Sequence, residues 1–160
     1  MKIVENKIFD EERALYHLQD AEVKECVFAG PADGESALKE ARNVIVRDCR
    51  FSLRYPLWHT QSYQLIGCSL DELTRAPIWY ACDGVIDSTE IRGVKCLREC
   101  DNTEIRHSKI VSPEFGWRCR GLQIEDTELT DKVLHEYGRT LGELHVLSAD
   151  FVPVTKKWSH

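Results

Sequence analysis

The chain has 160 residues, 42% hydrophobic and 30% charged, with a formal net charge of −6 at pH 7. That length suits one domain with its own core, and the acidic balance excludes the global basic field that holds nucleic acid. Charges at positions 2, 5, 7, 10, 11, 12 and 13 rule out a secretory apolar region at the start, and no stretch reaches the roughly 18 apolar residues of a membrane span.

Taken in chain order, the predicted elements repeat. Each unit carries an aliphatic anchor, a small residue three places on and a large apolar residue five places on. A degenerate first unit is Val4, Lys7 and Phe9. Full units follow at Val23-Cys26-Phe28, Val46-Cys49-Phe51, Leu65-Cys68-Leu70, Ile86-Thr89-Ile91, Ile105-Ser108-Ile110 and Ile124-Thr127-Leu129. The anchors are 19, 23, 19, 21, 19 and 19 residues apart. All length variation falls after the anchor strand, and the longest insertion is the loop Gly30-Pro-Ala-Asp-Gly34.

The upstream half of each unit repeats as well. Eight residues before the anchor stand Leu15, Leu38, Leu57, Ile78, Leu97 and Gly116. Five before stand Leu18, Ala41, Thr60, Ala81, Cys100 and Cys119. Three before stand Asp20, Asn43, Ser62, Asp83, Asn102 and Gly121, the chemistry of a bend.

Two solenoids fit such columns. Thr60–Leu70 reads like the cysteine variety of a leucine-rich repeat, but that fold needs about 20–29 residues for a strand and a helical return. Four of the six intervals here are 19, and Pro56, Pro77, Gly93 and Pro113 fall in the return segments. The pattern therefore favours an all-β, right-handed parallel β-helix of six to seven coils of 19–23 residues over positions 1–130.

A resemblance points the same way. Glu12-Arg-Ala-Leu15, Tyr55-Pro-Leu-Trp58 and Arg75-Ala-Pro-Ile-Trp-Tyr80 resemble an uncharacterised bacterial family of right-handed β-helices in the pectin-lyase-like superfamily, a domain of unknown function. The resemblance covers residues 1–130 and implies the fold. It implies no active site, so no catalytic residue carries over. Members of that family are longer, and this chain leaves the pattern after Leu134. Val133, Leu134, Tyr137, Leu141 and Leu144 have helical spacing, which predicts a capping helix over 131–144 in the C-terminal segment 131–160. Val146–Val154 reads as a terminal strand.

In a β-helix each column stacks at about 4.8 Å per coil. The column seven before the anchor reads Tyr16, Lys39, Trp58, Trp79, Arg98 and Trp117. Lys39 and Arg98 require it to point outward. It is either a self-packed ladder of rings and cations or a platform for sugar rings. The next column reads His17, Glu40, His59, Tyr80, Glu99 and Arg118. Trp58, Trp79, Trp117, Arg98, His59 and Tyr80 are thus the candidate ligand-binding residues, with a carbohydrate or small molecule as ligand. Glu99 is the candidate acid or base, though catalysis needs a second group across a cleft.

The seven cysteines include no CxxC pair and point to reduced thiols in the cytoplasm. Cys26, Cys49 and Cys68 read as small buried residues rather than as metal ligands, and Cys100 and Cys119 stand one coil apart. The outward column Lys24, Arg47, Ile66, Asp87, Arg106 and Glu125 mixes signs and does not support a calcium cluster. No HExxH, GxSxG or P-loop occurs. No metal and no cofactor is expected, and neither nucleic acid nor membrane is expected as a partner. The expected function is a non-catalytic scaffold or binding module. Its alternatives are a carbohydrate-active lyase or hydrolase, by fold analogy alone, and a solenoid that dimerises or polymerises through its ends.

Overall fold

A computed structural model gives the fold and describes residues 1–130 and 144–146. In chain order the strands are β1 (Lys2–Glu5), β2 (Ile8–Phe9), β3 (Gln19–Lys24), β4 (Val27–Phe28), β5 (Arg42–Arg47), β6 (Arg50–Phe51), β7 (Gln61–Ile66) and β8 (Ser69–Leu70). They continue as β9 (Cys82–Asp87), β10 (Glu90–Ile91), β11 (Asp101–Arg106), β12 (Lys109–Val111), β13 (Arg120–Glu125), β14 (Glu128–Thr130) and β15 (Leu144–Val146). The odd-numbered strands form one parallel sheet and the even-numbered strands a second, each in coil order. The fold is an all-β parallel solenoid. Among the described residues the only helical piece is the 3-10 turn Glu72–Thr74, so the helical return of a leucine-rich repeat is excluded.

The anchors hold the register. Val23 pairs with Val46, Val46 with Leu65, Leu65 with Ile86, Ile86 with Ile105 and Ile105 with Ile124. All six are fully buried, as are the large residues from Phe28 to Leu129. Period-two alternation sends Val44 and Val46 inward and Ile45 and Arg47 outward, while the left-handed bend at Asn43 breaks the alternation and leaves Arg42 and Asn43 exposed. Phe9, Phe28 and Phe51 stack along the axis with centroids 5.2 and 4.5 Å apart.

The third side of each coil is a tight turn, yet its backbone groups are satisfied between coils. Leu38, Leu57 and Ile78 donate their N–H groups back to the carbonyls of Ala14, Ala37 and Pro56 at 2.8, 2.9 and 2.9 Å. Two residues later the direction reverses. Glu40, His59, Tyr80 and Glu99 donate forward to the carbonyls of Trp58, Trp79, Arg98 and Trp117 at 2.9, 2.8, 3.0 and 2.8 Å. Left-handed backbone at both positions makes the reversal, with φ +62° at Leu57 and +55° at His59. The expected bends three residues before the anchors are left-handed too, from +53° at Asp20 to +52° at Asn102. Asn43 and Asn102 donate across coils to Asp20 and Asp83, both at 2.7 Å.

The small column has a definite task. Cys49 and Cys68 donate their thiols to the anchor carbonyls Val23 and Val46 of the coil before, at 3.5 and 3.3 Å. Further on, oxygens at this corner accept backbone hydrogen bonds from the preceding coil: Cys68 N–H to Thr89 Oγ1 at 3.2 Å and Thr89 N–H to Ser108 Oγ at 3.1 Å. A second corner repeats the device, with Thr60, Cys100 and Cys119 donating to Leu38, Ile78 and Leu97 at 2.9, 3.3 and 3.1 Å. Cysteine fills these places as a small apolar group with a weak donor. None of the seven cysteines is in a disulfide.

The C-terminal reading meets the described residues only at Leu144–Val146, where Val146 is in a strand as expected and Leu144 is not in a helix. Leu144 opens β15, which pairs with β13 so that Val146 lies beside Ile124. Val146 follows Ile124 by 22 residues, inside the range of the other intervals, and Ala149 and Phe151 follow at the usual offsets. The repeat in the sequence therefore does not end at Leu134. The rest of the expected helix, 131–143, and most of the expected strand, 147–154, lie outside the described residues.

Candidate functional site

The outward column on the third side is a continuous stack. Trp58 and Trp79 lie face to face, centroids 4.7 Å apart and planes 3° apart. The guanidinium of Arg98 sits 4.8 Å from the Trp79 ring and 4.4 Å from the Trp117 ring, filling the coil between them. Arg118 covers Trp117 again at 4.3 Å. The spacing follows from the ladder, since one strand separation is also the stacking distance of flat rings.

Trp58, Trp79 and Trp117 are half-buried, and the first two are pinned. Trp58 Nε1 donates to the carbonyl of Ala76 at 2.8 Å, and Trp79 Nε1 to that of Lys95 at 3.1 Å. Both acceptors stand in the column ten residues before the anchor. Both faces of Trp79 are covered, by Trp58 and by Arg98. Tyr55 tilts against Trp58 at 5.0 Å. The stack therefore offers edges rather than free faces.

Beside those edges runs a groove of about 500 Å³, lined by Tyr55, Trp58, Ala76, Trp79 and Val94, with Glu72, Arg75 and Lys95 as its charged groups. Val94 is 44% exposed. Tyr55 was legible in the Tyr-Pro-Leu-Trp run. Ala76, Val94 and Lys95 carry no chemical signal, and only the ladder brings them beside the rings.

The neighbouring column forms a second layer. His59 stacks on Tyr80 at 4.9 Å and 13°, and Tyr80 turns its edge to Trp58 and Trp79 at 6.5 and 6.0 Å. The solenoid thus gathers Trp58, Trp79, Arg98, Trp117, His59 and Tyr80 on one side. Glu99 lies on that side too, but its neighbours in the column are Tyr80 and Arg118, so no second carboxyl stands next to it there. Among the described residues no three His, Cys, Asp or Glu side chains form a metal-binding group, and no helix is long and apolar enough to cross a membrane.

On the long-strand sheet the mixed-sign column is neutralised by ion pairs. Arg47 meets Glu22 at 2.6 Å, and Arg106 meets Asp87 at 3.0 Å. Burial pushes the Asp87 carboxyl up, but its bonds from Arg106 and Ser88 more than offset this and hold it below the usual carboxylate value.

A family model described as "Protein of unknown function (DUF3737)" matches residues 2–143. No curated protein and no solved structure matches the chain.

Proposed function

The chain belongs to the DUF3737 family of proteins of unknown function, and on that premise we propose that it is a non-catalytic scaffold and binding module. Its ligand is a carbohydrate or similar small amphipathic molecule, held in the groove along the edges of Trp58 and Trp79. The groove itself carries this reading: an apolar floor of about 500 Å³ with three charged groups is the general make-up of a site that buries and orients a ligand. The stacked column supplies a rigid wall, because its rings are fixed by their N–H bonds before any ligand arrives. Catalysis is left aside because the neighbours of Glu99 in its column are Tyr80 and Arg118, not the second carboxyl that would share the work of acid and base. The free thiols support a cytoplasmic setting, and the parallel coil supports kinship with pectin-lyase-like β-helices.

A glycan and metabolite screen followed by tryptophan fluorescence tests the reading. Val94→Arg fills the groove from an exposed position and leaves the ring stack intact. A ligand that binds the wild-type chain and is lost in Val94→Arg supports the proposal. Ligands that bind both proteins equally, or turnover of a bound glycan that Glu99→Gln abolishes, would overturn it.

A further inference from the structure

A second cleft, of about 410 Å³, lies where the stack of turns runs into the long-strand sheet. It spans the coils anchored by Val23, Val46 and Leu65, and its polar lining is His17, Lys39, Glu40, Arg42, His59 and Gln61. Lys39 and Arg42 enter no ion pair among the described residues, whereas Arg47, Arg54, Arg92, Arg106 and Arg120 each hold a carboxylate. The one carboxylate in the lining, Glu40, accepts one hydrogen bond within the chain and keeps further lone pairs to accept others. Tyr16 donates its hydroxyl to Glu40 Oε2 at 3.0 Å, and this bond pushes the Tyr16 phenol above its ordinary value.

The ladder fixes the remaining donors. Arg42 stands in register between Gln19 and Gln61. The Gln19 amide nitrogen lies 2.9 Å from His17 Nε2. His59 is held by its stack on Tyr80. The cleft thus joins a guanidinium and an ammonium, neither in an ion pair, to imidazole and carboxamide groups, with Glu40 as an acceptor for hydroxyls.

We propose that this cleft is a binding site for a small hydroxylated oxyanion, such as a sugar phosphate or sugar acid. Arg42 grips the anionic group through its planar fork, Lys39 adds a point charge, and Glu40 and Gln61 meet the hydroxyls. The site is separate from the tryptophan groove and does not depend on a ligand binding there.

Nuclear magnetic resonance of the full chain tests it, reading the ring signals of His17 and His59. The probes are inorganic phosphate, acetate, glucose 6-phosphate and glucose. We expect saturable shifts with phosphate or acetate, the stronger of the two naming the anionic group. Glucose 6-phosphate should bind more tightly than phosphate, and glucose alone should not bind. Arg42→Gln places glutamine where Gln19 and Gln61 already stand in the column, so the coil is preserved; it should weaken binding about tenfold or more. Arg50→Gln removes the same charge from the other sheet and should change nothing. No saturable shift with any anion, or equal binding by wild type and Arg42→Gln, overturns the proposal. Neither result bears on the groove, which tryptophan fluorescence reads separately.

Discussion

Tyr63 lies across Gly84 inside the coil. The two are partners in register on β7 and β9, and a Cβ at Gly84 would collide with Tyr63 Cζ, Oη and Cε1. Gly84 is the space that the Tyr63 ring occupies. The hydroxyl at the end of that ring is buried without a hydrogen-bond partner, as is the Thr103 hydroxyl in the next coil. Gly84→Ala should therefore cost about 1–3 kcal/mol through overpacking. Tyr63→Phe should be neutral or stabilise by up to about 1 kcal/mol, because it removes an unpaired polar atom. Adding Tyr63→Val to Gly84→Ala should recover part of the loss. Urea unfolding of the variants measures all three, and additivity in the double mutant would contradict the shared-space argument.

The tryptophan stack contributes to stability as well as shape. Trp79→Phe keeps a ring but loses the bond to the Lys95 carbonyl, which should cost about 1 kcal/mol. Trp79→Ala also loses the stacking on Trp58 and Arg98 and should cost about 2–3 kcal/mol. Thermal denaturation of the two variants reads the difference. An unchanged melting temperature in Trp79→Ala would mean that the stack contributes nothing to the fold.

Left-handed backbone at exposed corners carries a steric cost that glycine does not. Glu25 has φ +53°, and the same column holds Gly67 at +66°. Glu25→Gly should raise stability by about 1 kcal/mol. Gln64 lies in mid-strand on β7, and Gln64→Gly should lower stability by about 0.5–1 kcal/mol. The opposite signs of two Gly substitutions, measured by urea midpoint, form the test.

Among the cysteines, Cys82 is partly exposed and the other six are buried. Thiol labelling of the native protein should modify Cys82 quickly and the others only after unfolding. Burial raises the Cys26 and Cys100 thiols above their ordinary value. A hydrogen bond with the Cys68 thiol, then burial, does the same for Cys49. That bond lowers Cys68 in turn, while burial opposes the ionisation of either sulfur. A raised thiol ionises first in the unfolded chain. Its contribution is complete below about pH 8.5 and is lost as pH rises from there towards the folded value. Stability should fall on the alkaline side, and less steeply in Cys100→Ala, where Ala41 and Ala81 show the column accepts alanine. A pH-independent urea midpoint up to pH values near the tyrosine range, roughly 10, would contradict this.

The sequence reveals the coil because buried columns must repeat. Val23, Phe28 and their successors are apolar at fixed offsets for no other reason, and Lys39 and Arg98 mark their own column as outward. The ring stack followed from that phase. The pinning of the rings did not, since Trp58 and Trp79 donate to carbonyls, and a carbonyl leaves no mark on residue type. The paired left-handed turns were equally hidden, because Leu57, Ile78 and Leu97 are residues that avoid that conformation when free to choose. Small side chains at this corner read as packing, but Thr89 and Ser108 also answer backbone N–H groups there. The continuation at Val146 was masked by apolar spacing between Val133 and Leu144 that also suits a helix.

Among the described residues strands pair only with their counterparts one coil away, and this makes the coil a module. Insertions short of a whole coil must be taken up outside the ladder, and Pro31–Asp33 and Glu72–Leu73 are exposed accordingly. A duplication or loss of one full coil leaves every column in phase. Removing Ser88–Arg106, a span of 19 residues, would join Asp87 to His107, each already in its proper column. It would also set Trp117 directly on Trp79. Arg98 therefore serves as one more flat plate, keeping the stack continuous through a coil that carries no ring.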